Sequence, residues 1–349
     1  MSAPAIDVTE LAKRFASRRR VPGLGAALRG LFRAARQEHI GVDAISFQIA
    51  RGERVAFVGP NGAGKSTTIK LLTGILHPTS GTASVLGLTP WRARRELAYR
   101  IGTVFGQRTQ LWYHLPAADT FALLRRVYER DRSLHERRLA GLVDALELGA
   151  ELHQPVRELS LGQRMRCELV ASLLHQPEVV FLDEPTIGLD VTAKAAIRDV
   201  LREESKREGT TLLFTSHDTG DMESVCDRAI ILHRGRVLVD QPLELLRREH
   251  IRRKLLSLHT VEADCSVDLP GIIVRAQEPH RLELEVDLSR VHVEQVIQHV
   301  LTRARLRDLT VNDPPMEQII REIYSRATGG GSELTPSAAD EEEAGATRS

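Results

Sequence analysis

Residues 59–66 read GPNGAGKS and match the pattern G-x-x-x-x-G-K-[ST] at every fixed position. They follow an apolar run, Arg54–Val58, that predicts a buried strand, and they precede a predicted helix through Leu72. Glycines at this spacing allow the backbone to turn with its N–H groups facing inward, and the helix N-terminus adds partial positive charge. The unit therefore predicts a phosphate cradle in which Lys65 reaches the β- and γ-phosphates and Ser66 ligates Mg²⁺.

A second apolar run, VVFL at residues 179–182, ends in two acidic residues, Asp183 and Glu184. We expect this strand end to lie beside the phosphate cradle, with Asp183 holding Mg²⁺ through water and Glu184 polarising the attacking water as a general base. An acidic pair at a strand end is also an ordinary loop feature. The phosphate-binding pattern upstream favours the catalytic interpretation.

Charge is distributed unevenly along a chain whose net charge is +1. Residues 1–39 carry eight Lys and Arg against three acids, residues 327–349 carry one Arg against five acids, and residues 40–326 carry 39 of each sign. A neutral body argues against a broad nucleic-acid interface, which requires clustered cations. The three cysteines have no paired spacing, which fits a reducing cytosol. No apolar run approaches the roughly 20 residues that span a bilayer.

Alternating strands and helices predict an α/β layered fold over residues 1–245. The further strand predictions are Ala5–Val8, Ile45–Ile49, Leu212–Thr215 and Ala229–Leu232. Residues 246–326 predict a small α+β appendage, with a strand at Arg281–Asp287, a helix at 293–301 and a helix at 316–324 that Asp313 caps. The tail, 327–349, is rich in Gly, Ser, Ala and acids and is predicted to be disordered.

Four further segments lie in an order that resembles the ABC ATPase family over roughly residues 5–240. Residues 159–163, LSLGQ, resemble the LSGGQ signature, and Ser160 lies 23 residues before Asp183. Gln107 resembles the Q-loop glutamine, Gly188-Leu189-Asp190 the D-loop, and His217 the switch histidine. The resemblance implies a P-loop ABC ATPase domain with a mixed sheet core and a helical subdomain at about 91–175. One residue departs from the signature: Leu161 replaces its first glycine, so the leucine side chain must point away from the nucleotide.

The resemblance implies that two subunits pair head to tail, each P-loop facing the LSLGQ segment of the other. Ser160 and the backbone of Gly162 then contact the γ-phosphate across the interface, His217 contacts it too, and Gln107 senses Mg²⁺ or water. ATP joins the two subunits, and hydrolysis releases them; whether both are this chain or one is a related ATPase stays open. The implied ATP contacts are Phe15, Asn61, Gly62, Gly64, Lys65, Ser66, Thr67, Ser160, Gly162, Gln163 and Asp190; the Mg²⁺ contacts are Ser66, Gln107 and Asp183; the catalytic residues are Glu184, His217 and Gln107.

Phe15 and the segment after it leave alternatives open. Residues 11–15, LAKRF, resemble the family stretch whose aromatic residue stacks on adenine, but Phe15 also fits a core position. The basic insertion that follows, residues 16–40, predicts an amphipathic helix between Arg18 and Arg36. It either lies on an anionic membrane surface or a permease, or it packs on its own domain. Its apolar face holds Leu24, Leu28, Leu31 and Phe32, and its basic face holds Arg29, Arg33 and Arg36.

Residues 108–116, RTQLWYHLP, lie where the family contacts its transmembrane subunits. Trp112 and Tyr113 either face such a subunit or are buried in the helical subdomain. This pattern resembles the ATPases of bacterial exporters whose permeases are separate chains, and it implies a peripheral position on the cytoplasmic side of the plasma membrane. The alternatives are a soluble ABC ATPase acting on ribosomes or on DNA. A single P-loop and the lack of sustained heptads favour the transporter.

Overall fold

The computed structural model describes residues 3–18, 36–106, 109–216, 218–250, 253–263 and 266–327. Gln107, His217, residues 19–35 of the basic insertion and the tail from residue 328 lie outside these ranges. The chain divides into two compact units, Met1–Glu249 and His250–Ser349. None of the helices among the described residues is both long and apolar enough to cross a membrane.

The first unit is built from strands and helices that alternate along the chain. Its strands are β1 (Ile6–Arg18), β2 (Arg36–Ile49), β3 (Arg54–Val58), β4 (Ser80–Val85), β5 (Ile101–Phe105), β6 (Val179–Asp183), β7 (Thr211–Thr215), β8 (Arg228–His233) and β9 (Arg236–Pro242). The helices up to residue 250 are α1 (Lys65–Leu72), α2 (Arg94–Ala98), α3 (Ala117–Val127), α4 (Arg132–Ala145), α5 (Leu161–Leu173), α6 (Val191–Glu208), α7 (Thr219–Val225) and α8 (Leu243–His250).

The larger sheet has the strand order β5-β6-β7-β3-β8-β9, parallel except for β9. Its central strands are continuous apolar runs because parallel strands are covered on both faces. Phe57, Phe181 and Phe214 from three of these strands are fully buried, and each such side chain stabilises the fold by about 1.5–3 kcal/mol. The predicted strand Arg54–Val58 is confirmed with the same bounds.

The carboxyl ends of the parallel strands meet at one edge of this sheet. Asp183 at the end of β6 pairs in register with Thr215 of β7, and Phe57 of β3 pairs with Thr215 on the other side. The glycine-rich loop leaves β3 at this edge. Ligands of open α/β sheets bind outside such strand ends, so the order β6-β7-β3 places the acidic pair beside the phosphate cradle.

Strands β1 and β2 form a longer hairpin than the sequence predicts, within a sheet of order β2-β1-β4. The first strand was expected at Ala5–Val8, but pairing continues to Arg18 opposite Arg36. Register shifts between Val8 and Leu11 interrupt the alternation, and Glu10 has a φ of 50°. Such bulges hide a strand from a pattern of period two. The predicted amphipathic helix falls in residues 19–35, outside the described ranges.

The second unit contains an antiparallel sheet of order β11-β12-β10-β13. The strands are β10 (Arg253–Thr260), β11 (Ile272–Glu278), β12 (Arg281–Asp287) and β13 (Leu306–Asn312), and the helices are α9 (Val293–Leu301) and α10 (Met316–Ala327). The predicted strand at Arg281–Asp287 and helix at 293–301 are confirmed with these bounds. The predicted cap was wrong: α10 begins at Met316, and the Asp313 carboxylate contacts the ammonium of Lys254 instead.

Candidate functional site

The glycine-rich loop turns sharply between β3 and α1. Gly62 and Gly64 have φ values of 79° and 108°, in the left-handed region that glycine alone adopts readily. A Cβ at Gly64 would lie 2.5 Å from the carbonyl oxygen of Gly41, so this position also has no room for a side chain. No side chain caps the N-terminus of α1. The first backbone N–H groups of α1 can therefore bind an anion.

A cavity of about 160 Å³ lies over this loop. It brings together Phe15 from β1, Glu184 from the end of β6, and Lys65 from the first turn of α1. Phe15 is half-buried rather than part of the core, so the core alternative was wrong for its position. The other lining residues are His39, Gly41, Pro60, Asn61, Gly62, Ala63, Gly64, Ser66 and Thr67.

Two residues of β2 at this site, His39 and Gly41, were not predicted from the sequence. His39 is the cross-strand partner of Phe15. A Cβ at Gly41 would lie 2.7 Å from Cε2 of Phe15, so the ring of Phe15 lies directly against the Gly41 backbone. Ala63 accepts a hydrogen bond from the N–H of Gly235, whose carbonyl accepts one from the N–H of Asp43. Backbone hydrogen bonds of Gly235, between β8 and β9, thus link the hairpin to the phosphate loop.

Lys65 is a buried cation at the floor of the cavity. Its Nζ donates to the Gly59 carbonyl at 2.5 Å and lies 3.9 Å from Oε1 of Glu184. Burial lowers the pKa of Lys65, and the nearby carboxylates of Glu184 and Asp183 act against this shift. The lysine is therefore held inside the loop with its charge directed at the acidic strand end.

The acidic pair is fixed by the neighbouring strand ends. Glu184 has a φ of 55°, a conformation that a non-glycine residue keeps only when its surroundings hold it. Its N–H donates to Oγ1 of Thr215 at 2.9 Å, and that hydroxyl donates to Oδ1 of Asp183 at 3.0 Å. Gly106 donates its N–H to the Asp183 carbonyl at 2.9 Å. Gln107 follows Gly106 in the chain but lies outside the described residues.

The LSLGQ segment begins α5 and lies against the loop that precedes α6. Ser160 caps α5 by accepting from the N–H of Gln163 at 3.2 Å, and Gln163 Oε1 accepts from the N–H of Ser160 at 2.8 Å. Nε2 of Gln163 donates to Oε1 of Glu151. Both the oxygen and the nitrogen of the Gln163 side-chain amide, a predicted ATP contact, are therefore hydrogen-bonded within the chain. Leu161 is exposed on the side of Gly188. None of Ser160, Gly162 and Gln163 lines the phosphate-loop cavity.

A second cavity, of about 140 Å³, shares Glu184 with the first. Asp190 lies beside it as the N-cap of α6, where its Oδ1 accepts from the N–H of Ala193 at 2.8 Å. Lys194 donates to Asp218 at 2.7 Å, and this bond lowers the pKa of Asp218. The predicted switch residue His217 lies outside the described residues. Its neighbours in the sequence, Ser216 and Asp218, line this cavity. The cavity is lined by Glu184, Thr186, Ile187, Gly188, Lys194, Ser216, Asp218 and Asp221.

The segment after Gln107 carries an exposed aromatic pair. Trp112 is 46% exposed and Tyr113 47%, so burial in the helical subdomain was wrong for both. The start of the segment is held by Glu168 of α5, whose Oε1 accepts from the N–H of Gln110 at 2.8 Å and from the hydroxyl of Thr109. Burial raises the pKa of Glu168. The aromatic surface is therefore connected to the same helix that begins with LSLGQ.

Comparisons with known proteins agree with this geometry. A family model described as ABC transporter matches residues 42–187. The chain is 32% identical over 202 residues to the ABC transporter ATP-binding protein NatA of Bacillus subtilis, covering 58% of this chain and 82% of that protein. It is 34% identical over 234 residues to the Nod factor export ATP-binding protein I of Ralstonia nicotianae, covering 65% and 72%. A solved ATP-binding subunit of an ABC transporter aligns with a TM-score of 0.59 at 26% identity, over 70% of this chain and 92% of the other.

Proposed function

Because the chain belongs to the ATP-binding proteins of ABC transporters, we propose that it hydrolyses ATP between two copies of itself and drives separate permease subunits. The observation that carries this proposal is the division of the predicted ATP contacts into two groups. Lys65 and Glu184 line one cavity, whereas Ser160 caps a helix whose start does not line it. A second chain that places its Ser160 over this cavity completes the site.

The residues of the cavity divide the chemistry among them. Lys65 and the uncapped N–H groups of α1 bind the phosphates, because both supply positive charge to an anion. Glu184 takes a proton from the attacking water and orients that water toward the γ-phosphate. Phe15 stacks on the adenine at the open end of the cavity, beside His39. Across the interface, Ser160 and the N–H of Gly162 contact the γ-phosphate, because an exposed helix start brings N–H groups close to an anion.

The residues present also fit a magnesium ion. Ser66 lines the cavity, and Asp183 ends β6 directly before Glu184, which lines the same cavity. Both side chains supply hard oxygen donors of the kind that Mg²⁺ prefers. Ser66 and Asp183 would hold the ion, and the family resemblance implies that Gln107 joins them. When bound, Mg²⁺ neutralises charge that develops on the phosphate oxygens.

A permease is the partner that best fits the exposed aromatic pair. Trp112 and Tyr113 are large residues of a kind enriched in the buried centres of interfaces. The Ralstonia relative is named for Nod factor export, and we extend export to this chain. The chain then lies on the cytoplasmic side of the membrane, attached to its permeases.

The basic insertion between Arg18 and Arg36 is a second candidate contact with the membrane or the permease. The contact can be tested by shortening the hairpin between β1 and β2, because Arg18 and Arg36 are cross-strand partners. Residues 19–35 can be replaced by Asn-Gly, which favours a two-residue hairpin turn. We expect weaker membrane association with unchanged ATP affinity. Unchanged membrane association would contradict this role of the insertion.

The function is tested by purifying Glu184→Gln with ATP from detergent-solubilised membranes and identifying the proteins that accompany it. We expect polytopic membrane proteins in stoichiometric amount. The matched control is the same variant with Trp112→Ser and Tyr113→Ser, which should bind ATP equally well and lose those partners. Recovery of ribosomes or DNA in place of permeases would contradict the transport function.

A further inference from the structure

Asp221 is a fully buried carboxylate in the first turn of α7, at 0% exposure. Its Oδ2 accepts a hydrogen bond from Oγ1 of Thr186 at 2.5 Å and a longer one from Oγ of Ser216 at 3.5 Å. Its Oδ1 accepts from Nε of Arg198 at 2.6 Å, and the Nη2 of Arg198 contacts the same oxygen. Both oxygens are therefore bonded, and a guanidinium balances the charge.

The three donors come from the segments that surround the proposed reaction. Thr186 is the second residue after Glu184, in the loop that leads to Asp190. Ser216 directly follows β7 and directly precedes His217 in the sequence. Arg198 lies on α6, whose first residues follow Asp190. The Asp221 carboxylate thus links three segments: the loop after Glu184, the residue before His217, and helix α6.

The loop after β6 needs such an anchor. Glu184 holds a left-handed backbone conformation, which costs on the order of 1–3 kcal/mol for a residue with a side chain. On its N-terminal side the loop is held by Thr215, which bonds the Glu184 N–H. On its C-terminal side the bond from Thr186 to Asp221 holds it. Loss of that second bond would loosen the loop and shift the Glu184 carboxylate from the position in which it directs water.

We propose that Asp221 is a positioning residue for ATP hydrolysis, acting through Thr186 and Ser216 rather than by contact with nucleotide. The proposal rests on the function proposed above, in which Glu184 is the general base. Among the described residues, the charged groups that line the second cavity besides Glu184 and Asp221 are the pair Lys194 and Asp218. Asp221→Asn therefore removes the negative charge that Arg198 balances and keeps the size of the side chain.

The test compares steady-state hydrolysis by the full chain carrying Asp221→Asn, Thr186→Val or Thr186→Ser. We expect Asp221→Asn and Thr186→Val to lower kcat by roughly 10- to 100-fold, because small displacements of a catalytic group cost that much. KM for ATP should stay unchanged, and Thr186→Ser, which restores the hydroxyl, should recover kcat. If Asp221→Asn does not fold, the Thr186 pair carries the test, because valine matches threonine in shape.

Two further measurements separate positioning from general stability. In the Glu184→Gln background, Asp221→Asn should cause no additional loss of kcat, because it acts through the group already removed. Glu204→Gln is the matched control. Like Asp221, Glu204 is a buried carboxylate; it lies on α6, pairs with Arg138 and lines neither cavity of the site. It should lower the melting temperature and leave kcat unchanged.

Three results would overturn the proposal: parent kcat in Asp221→Asn and Thr186→Val, an equal loss of kcat in Glu204→Gln, or a full additional loss in the Glu184→Gln background. A failure of the underlying function would look different. In that case Glu184→Gln itself would turn over ATP at the parent rate.

Discussion

Nζ of Lys65 lies 3.9 Å from Oε1 of Glu184, so the cation of the phosphate loop and the carboxylate at the end of β6 face each other across one cavity. Lys65 is placed by the carbonyl of Gly59, and Glu184 by the end of β7. The two side chains are thus brought together by separate parts of the backbone. Their proposed roles, phosphate binding and proton removal, can therefore be removed one at a time.

Glu184→Gln should leave ATP affinity near that of the parent and lower turnover by about 10²–10⁴, because the amide cannot take a proton from water. Phosphate release measures turnover, and equilibrium binding of labelled ATP measures affinity. Glu204→Gln serves as the control for loss of a partly or fully buried carboxylate elsewhere. Turnover near the parent rate in Glu184→Gln would exclude Glu184 as the general base.

Lys65→Ala should weaken ATP binding by about 1.5–3 kcal/mol, the usual contribution of a hydrogen bond to a charged group. Lys70→Ala provides the matched control, because Lys70 lies in the last turn of the same helix. Both variants can be compared by calorimetric titration with ATP. Parent affinity in Lys65→Ala, or equal losses in the two variants, would contradict the cradle described here.

Phe15→Ala should weaken ATP binding by about 1–3 kcal/mol, the range for a base stacked on an aromatic ring. Gly41→Val should have a similar effect, because its Cβ would lie 2.7 Å from Cε2 of Phe15 and displace the ring. Phe15→Tyr should bind like the parent. Inorganic triphosphate, which has no base, should bind all four proteins alike; a matching loss of triphosphate affinity in Phe15→Ala would argue against stacking.

His175 should make the first unit less stable in acid. Burial lowers the pKa of His175 from 6.5 to about 4. Between these two pH values the unfolded chain therefore binds a proton at this residue, whereas the folded chain does not. The free energy of unfolding should therefore fall as the pH drops from 6.5 to 4, by up to about 3 kcal/mol from this residue.

The check on His175 is urea unfolding of the parent and His175→Phe between pH 7.5 and pH 4. Phenylalanine keeps a ring on Tyr128, whose centroid lies 4.0 Å from that of His175, and it cannot titrate. The variant should be less stable at pH 7.5, because the bond to the Ile101 carbonyl is lost. Its stability should then fall less steeply with acid. An identical slope in both proteins would exclude His175 as the cause.

The parts of the fold that the sequence predicted are those with strong local signals. The strand Arg54–Val58 and its glycine-rich loop were predictable because an apolar run and a fixed motif specify them together. The strand Arg281–Asp287 and the helix Val293–Leu301 were predictable from clear periods in their apolar residues. The cap of α10 was mispredicted because Asp313, a good capping residue, is instead paired with Lys254.

The unpredicted features of the site depend on pairing between distant parts of the chain. His39 reaches the cavity because it lies opposite Phe15 in a bulged hairpin, and no local pattern around His39 indicates this. Asp221 reads as an ordinary surface acid near a helix start. Its partners Thr186 and Arg198 lie 35 and 23 residues away, so only the folded chain shows that this carboxylate is buried.

The most direct test of the account is complementation between two inactive variants, Lys65→Ala and Ser160→Arg. The first lacks the lysine of the phosphate loop, and the second places a bulky side chain on the LSLGQ segment. A mixed dimer keeps one intact site, built from Lys65 of one chain and Ser160 of the other. We predict that an equal mixture recovers about a quarter of the parent turnover, since half of randomly formed dimers are mixed and each holds one intact site of two. A mixture no more active than its two components would contradict a site shared between two copies of this chain.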